Sequence, residues 1–222
     1  MKRTSFFILC LAAVLLAVGC AGNVKEEKTA EQLAEEGIQA FETGHYQKSI
    51  EAFKKLRDWY PFSKHALLAD LKIADCHYAM ENYDEAVIAY EEFERMHPRN
   101  EAIPFVIYRI GLCHYNRLDT IDRDQAPARQ ALDVFYRLSR QFPGSEYAQK
   151  AAGPIKKCRE SLAGHEFYVG EFYFKSKHYR AALNRFQNVI NQYPDVGDVK
   201  AAENYIKLCL QHIKSEESGG EK

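Results

Sequence analysis

Cysteine and histidine are the residues of this chain best suited to chemistry, and two pairs, Cys76-His77 and Cys113-His114, invite a metal reading first. A zinc site needs three or four ligands converging on one point. Neighbours on a helix point about 100° apart, so a Cys-His dipeptide grips one ion poorly, and no metal site is expected. Disulfides are the second option for a chain with six cysteines. Their positions argue against it, because Cys76, Cys113, Cys158 and Cys209 each fall fifteen residues after a proline (Pro61, Pro98, Pro143, Pro194). Equivalent positions in a repeat share one environment, and Cys suits a crowded helix crossing as a small apolar residue. Helices stacked about 8–10 Å apart exceed the roughly 7 Å that a disulfide spans between Cα atoms. All four are predicted to be buried free thiols. No GxSxG, HExxH, Walker loop or GxGxxG is present, and no carboxylate pair stands out by spacing. No catalysis and no cofactor beyond a covalent lipid are expected.

The lipid belongs to Cys20. Lys2-Arg3 open the chain, and residues 5–18 are uncharged and end in small side chains. Such a stretch is too short to span a bilayer and has the proportions of a secretory signal. The segment LAVGC (16–20) resembles the lipobox of bacterial lipoproteins, in which the Cys thiol is alkylated with diacylglycerol and becomes the first mature residue. It departs from the commonest pattern in having Ala17 three before the Cys, with Leu16 one earlier. Two or more acyl chains hold a protein stably on a membrane. By the same resemblance, Ala21 in place of Asp implies sorting to the outer membrane, on its periplasmic face. Residues 1–19 are thus expected to be a signal peptide and residues 20–32 a lipidated Cys with a flexible tether. A folded body over 33–213 and a disordered tail over 214–222 complete the expected organisation.

Net charge is −1, and −3 once residues 1–19 are set aside. Phosphate binding needs a clustered excess of Lys and Arg, so nucleic acid is not an expected partner.

The body is one pattern written four times. Tyr60-Pro61, His97-Pro98, Phe142-Pro143 and Tyr193-Pro194 each close a run whose upstream positions agree. Eight before the Pro lie Phe53, Tyr90, Phe135 and Phe186; five before lie Leu56, Phe93, Leu138 and Val189; twelve before lie Ser49, Ala86, Ala131 and Ala182. These spacings follow one face of a helix that stops before a Pro, which disfavours helical geometry in its predecessor. A second helix-like run, such as LKIADCHYAM, precedes each. The unit is helix–turn–helix–Pro, similar to the tetratricopeptide repeat. The predicted fold is an all-α helical-repeat solenoid of about four repeats plus a terminal helix.

The Pro-to-Pro spacing grows from 37 to 45 to 51. The first excess falls in the polar segment LDTIDRDQAP and predicts a loop. The second, through SLAGHEFYVGEFYFKSK, keeps helical periodicity and predicts a first helix about 14 residues longer, or about 21 Å. Gly153-Pro154 and Gly164 are its expected kinks.

Trp59, Tyr60 and Phe62 cluster where the first repeat exits, and exposed aromatics there suit capture of an extended apolar peptide. Core packing is the alternative for them. Arg185 precedes the core position Phe186 by one residue, so it is expected off the apolar stripe and free to reach a partner.

At this level the sequence resembles the BamD (ComL) family, the lipoprotein subunit of the outer-membrane β-barrel assembly machinery. The resemblance rests on Tyr60-Pro61-Phe62-Ser63, PFVIYRIGL (104–112), DRDQAPARQAL (122–132), QFPGSEYA (141–148) and residues 159–195, the last including the long helix. It implies a scaffold that docks on the barrel-forming subunit and other assembly lipoproteins through its C-terminal repeats. Its N-terminal repeats would receive the C-terminal segments of unfolded outer-membrane protein clients. By position, Arg185 falls on the family's arginine implicated in coupling to the barrel subunit. Arg109 matches the family's third-repeat opening, and Tyr179 is counted with both for partner contact. Trp59, Tyr60 and Phe62 are assigned to clients. The chain departs from the family in its shorter third-repeat insertion and in ending one helix beyond repeat four. A tetratricopeptide lipoprotein of another envelope complex, associated with peptidoglycan or the Tol system, is the rival reading.

Overall fold

A computed structural model describes residues 27–219, so Cys20, the signal segment and most of the tether lie outside the described residues. The first helix, α1 (Ala30–Glu42), starts within the expected tether. Thr29 caps it: its hydroxyl accepts from the Gln32 amide at 3.2 Å, while the Gln32 side chain accepts from the Thr29 amide at 2.9 Å. Reciprocal capping satisfies two orphan amides and draws the helix start three residues earlier than apolar periodicity alone predicts.

Then come α2 (Tyr46–Trp59), α3 (Ala66–Ala79), α4 (Tyr83–Met96), α5 (Ile103–Tyr115) and α6 (Ala126–Gln141). The chain ends with α7 (Glu146–Lys150), α8 (Ala152–Lys175), α9 (Tyr179–Gln192) and α10 (Val199–Gly219). Each long helix packs on the next along the chain, and α7 bridges α5, α6 and α8. This serial antiparallel pairing is the predicted solenoid. Its final helix runs to Gly219. Residues 214–219, expected to be disordered, therefore continue α10.

Two recurring devices set the repeat. At each exit the residue before Pro takes the same non-helical geometry: Tyr60 (φ −131°, ψ 55°), His97 (−129°, 53°), Phe142 (−134°, 59°) and Tyr193 (−131°, 44°). Its amide still donates to the carbonyl four residues back, on Leu56, Phe93, Leu138 and Val189. The Pro therefore ends the helix without orphaning that carbonyl. Within repeats one, two and four the turn is a Schellman motif: the amides of His45, Asn82 and His178 reach the carbonyls of Ala40, His77 and Tyr173. The motif needs a left-handed residue, supplied by Gly44 (φ 74°) but also by Glu81 (61°) and Lys177 (63°). A side chain there carries strain. Lys177→Gly is expected to raise stability by up to about 1 kcal/mol in urea denaturation, and a loss would show that the Lys177 side chain has a compensating role.

Helix crossings are made close by small residues facing large ones. A Cβ on Gly37 would lie 2.7 Å from the Phe53 ring, and one on Gly170 2.8 Å from the Phe186 ring; Gly111 is still tighter against Phe135. The core follows as three successive clusters. Leu33, Phe53, Leu56 and Ile73 form the first; Tyr90, Phe93, Ile107, Phe135 and Leu138 belong to the second; Phe186, Val189 and Cys209 belong to the third.

α8 has 24 residues against 14 in α3, so the extension is about ten residues. Pro154 and Gly164 both fall inside this one continuous helix. Pro154 stands in the first turn of α8, where its missing amide has no helical partner to lose. Gly164 faces the repeat-three loop, where a Cβ would meet Ile121 Cγ2 at 3.0 Å. That loop is tied down: His165 Nδ1 lies 2.6 Å from the Ile121 carbonyl, and Ser161 donates to Gln125 Oε1 at 2.7 Å. Gln125, 3% exposed, in turn donates to the carbonyls of Thr120 and Arg123. The first half of α8 closes the middle cluster through Cys158 and Leu162, and the second half meets the last cluster through Phe167 and Phe174. The long helix exists to serve two neighbours.

Candidate functional site

The N-terminal repeats leave a cleft of about 360 Å³ between α2 and α4, with α3 between them. Ile73, Ile88, Ala89, Phe93 and Met96 make its apolar surface, and Ile88 and Met96 are exposed. Lys54 and Arg57 stand on the α2 wall, Glu85 and Glu92 on the α4 wall. α3 and α4 share this apolar surface, with Asp70 and His77 beside it on α3 and opposite charges on α2 and α4. Such a cleft suits a short peptide, whose apolar side chain enters while its polar groups meet the charged rims.

α3 is held beside this cleft by a polar triad built on the buried Asp75 and Tyr90. The Tyr90 hydroxyl donates to Asp75 Oδ1 at 2.6 Å, and Lys72 Nζ donates to Oδ2 at 3.1 Å. Burial first, and then the Asp75 charge, push the Tyr90 hydroxyl well above its ordinary ionisation range, so it remains a donor. Periodicity missed this triad; an acid inside the apolar run LKIADCHYA was its available signal.

The aromatic trio does not line the cleft. Trp59, the last residue of α2, is 52% exposed, and Phe62, on the turn joining α2 to α3, is fully exposed. Tyr60 is half-buried against the first core cluster, and its hydroxyl donates to the Lys28 carbonyl at 2.9 Å. It is a packing and anchoring residue, unlike its two neighbours.

The residues expected to contact a partner subunit lie apart. Arg185, on α9, is not free: its Nη1 donates to Glu166 Oε1 and Oε2 at 3.0 and 3.2 Å, and Asn188 donates to the same carboxylate at 3.1 Å. The reason is the long α8, which carries Glu166 alongside α9. Tyr179 stacks on His212 of α10, ring centres 4.2 Å apart and nearly parallel, and meets Phe174 edge-on. It seals the seam between α8, α9 and α10. Arg109, on α5, lies over the rings of Tyr78 (4.3 Å) and Phe105 (5.2 Å), with its Nε buried and without an acceptor. A guanidinium so placed is stiffened by cation–π contact.

Cys76, Cys113, Cys158 and Cys209 are buried free thiols. Cys76 donates to the Ser49 hydroxyl at 3.3 Å. Burial pushes the Cys113 thiol up to about 12 and Cys158 up to about 11, so neither is a thiolate near neutral pH. Alkylation of the native protein without reductant is expected to be slow, with all four reacting once denatured. Fewer than four reactive thiols in the denatured body would reveal a bridge. His77 and His114 are shifted downward by burial, which favours their neutral form. Among the described residues no group of three or more His, Cys, Asp or Glu is placed to hold a metal.

A family described as outer membrane lipoprotein (YfiO) matches residues 26–218, the whole helical body. The chain belongs to this family. Its curated relatives include "Outer membrane protein assembly factor BamD" of Rickettsia prowazekii, 30% identical over 87% of this chain and 78% of that protein. The proteins of the same description from Neisseria meningitidis serogroup A and Caulobacter vibrioides are 28% and 29% identical over 86% and 82% of this chain. The chain spans 75% of the length of the first and 63% of the second. Two solved structures are similar in outline: a thermophilic TPR protein of Thermus thermophilus (TM-score 0.43, 17% identity, covering 82% of this chain and all of that one) and the TPR2AB-domain:pHSP90 complex of yeast Sti1 (TM-score 0.47, 14% identity, 84% and 71%). Membership in the lipoprotein family accounts for the body; the repeat geometry itself establishes the fold. No helix among the described residues is long and apolar enough to cross a membrane.

Proposed function

We propose that this lipoprotein is a non-enzymatic scaffold of the outer-membrane β-barrel assembly machinery. It is held on the periplasmic face of the outer membrane by lipid on Cys20. The single observation that carries the reading is the match of the entire helical body to the outer membrane lipoprotein family, whose curated relatives are described as assembly factors. In this reading the α2–α4 cleft receives C-terminal segments of unfolded outer-membrane clients. Its apolar surface admits an apolar side chain, and its charged rims meet the polar backbone. The α8–α9 seam around Arg185 docks on the barrel-forming subunit, other assembly lipoproteins joining the same complex. Arg185 engages Glu166 through Nη1, which leaves its remaining nitrogens for a partner carboxylate. Tyr179 supports that surface from beneath, and Arg109 lies between the two ends.

Immunoprecipitation of the native protein from detergent-solubilised envelopes is expected to recover a β-barrel subunit, and recovery of none overturns the proposal. Arg185→Ala is expected to reduce that recovery while weakening the fold by only about 1 kcal/mol, since the pair is part-exposed and solvent-screened. Glu166→Gln breaks the same internal pair but keeps the cation. If it reduces recovery as much as Arg185→Ala, the arginine acts only by bracing α8 on α9.

A further inference from the structure

We infer that the end of α2 and the turn after it, carrying Trp59 and Phe62, form a membrane-contacting surface whose rings enter the lipid interface beside the anchor. Three observations converge on it. The Tyr60 hydroxyl grips the Lys28 carbonyl at 2.9 Å, which fixes the start of the body against this turn. Cys20 is eight residues from Lys28, so even a fully extended chain spans at most about 28 Å, and a flexible one has a typical reach of about 16 Å. Lipid on Cys20 therefore holds this end of the solenoid closest to the bilayer. This inference rests on the lipid-anchor reading above.

The second observation is exposure. Phe62 is wholly exposed on an ordered turn whose backbone is set by the Ser63 amide donating to Tyr60 and the Ala66 amide donating to Ser63. Trp59 and Leu67 are exposed on either side in sequence. Phe62 is not part of the nearby cleft wall. A ring standing clear of the α2–α4 cleft is poorly served by a peptide bound there. A bilayer interface surrounds it, and aromatic rings favour that depth.

The third is charge. Residues 55–64 hold Lys55, Arg57 and Lys64 against the single acid Asp58. Arg57 contacts Asp58 and Asp70, while Lys55 and Lys64 are exposed and form no ion pair among the described residues. Exposed lysines close in sequence to protruding apolar rings complement anionic headgroups. A short tether holds the turn at an effective concentration of about millimolar near the surface, so even weak insertion is populated.

Trp59 is the only tryptophan of the chain and serves as the reporter. The lipidated full-length mature protein would be placed in vesicles of phosphatidylethanolamine and phosphatidylglycerol, three parts to one, with and without lipids brominated in the upper acyl chain. Trp59 emission is expected to shift to shorter wavelength and to be quenched by the brominated lipid. For the mature chain carrying Cys20→Ser, vesicle binding is expected to be weak and to fall about tenfold further with Phe62→Ser. Emission that stays solvent-like and unquenched, while the protein sediments with the vesicles, overturns the inference and leaves the anchor intact. If mass spectrometry finds no lipid on Cys20, the anchor reading fails on its own. The Cys20→Ser arm then decides the patch, and unchanged Trp59 emission with vesicles rejects it. A blue shift produced by a client C-terminal peptide without vesicles, and none with them, also overturns it and assigns the turn to clients.

Discussion

Gly111→Ala is expected to lose about 3 kcal/mol of stability and roughly 6–12 °C of melting temperature, the largest loss anticipated here from one added methyl group. Gly111 faces Phe135 across the α5–α6 crossing, and a Cβ there approaches the ring more closely than at Gly37 or Gly170. Phe135 has no easy retreat: it is fully buried, with the Tyr108 ring centre 6.0 Å away and Leu138 on the same helix face. The middle cluster it belongs to spans α3 to α8, so the strain is felt by three repeats together. Because neighbouring repeats stabilise each other, the melt should remain cooperative but shift as a whole. Circular dichroism melts of Gly111→Ala and of Gly153→Ala, whose Cβ would meet nothing within 4 Å, make the comparison. The control is expected near wild type. Adding Phe135→Leu to Gly111→Ala should recover part of the loss by reopening the crossing. A loss under about 1 kcal/mol for Gly111→Ala itself would mean the two helices separate freely, against the close-packed crossing described above.

Asp75→Ala is expected to lose about 3 kcal/mol as well, by a different route. It strands the Tyr90 hydroxyl, which is fully buried and has Asp75 as its hydrogen-bond acceptor, and it removes the partner of Lys72. Leaving a buried donor unsatisfied carries its whole desolvation penalty, and hydrogen bonds to a charged group are the stronger kind. Tyr90→Phe should be milder, about 1–2 kcal/mol, because Lys72 continues to balance the carboxylate. Urea denaturation of both single variants and the double variant yields their coupling, expected to exceed about 1 kcal/mol. Additivity of the two would show that the 2.6 Å contact contributes nothing specific. The consequence reaches function because Ile73 and His77, flanking Asp75 on α3, line the α2–α4 cleft. Client-peptide crosslinking to the cleft should fall in Asp75→Ala at temperatures where the fold persists.

The one-dimensional pattern was enough for the helical repeats, their exits and the buried thiols, because each is a local or periodic property. The residue before each Pro must leave helical geometry, and an apolar stripe at helical spacing must find a partner face. Phe53, Tyr90, Phe135 and Phe186 are therefore core residues wherever their helices are packed. The capping box at Thr29 and Gln32 is equally local, a Thr followed three residues later by Gln ahead of an apolar-periodic run. Outcomes that depend on which helix lies beside which are of another kind. Arg185 was expected to be free because its rotation about α9 takes it off the apolar stripe, yet that same rotation aims it at Glu166 on the extended α8. Tyr179 and His212, separated by 33 positions, stack only because α10 returns along α9. Gly164 reads as a kink in one dimension and proves to be the place where the Ile121 loop lands. Tyr60 looks like part of an exposed aromatic cluster until the approach of Lys28 turns it inward, leaving Trp59 and Phe62 in solvent. The amino-acid order determines which faces are apolar and where helices must stop. Only the stacking of those helices decides which polar groups find partners inside the chain and which remain for something outside it, since burial and pairing depend on residues far apart in sequence.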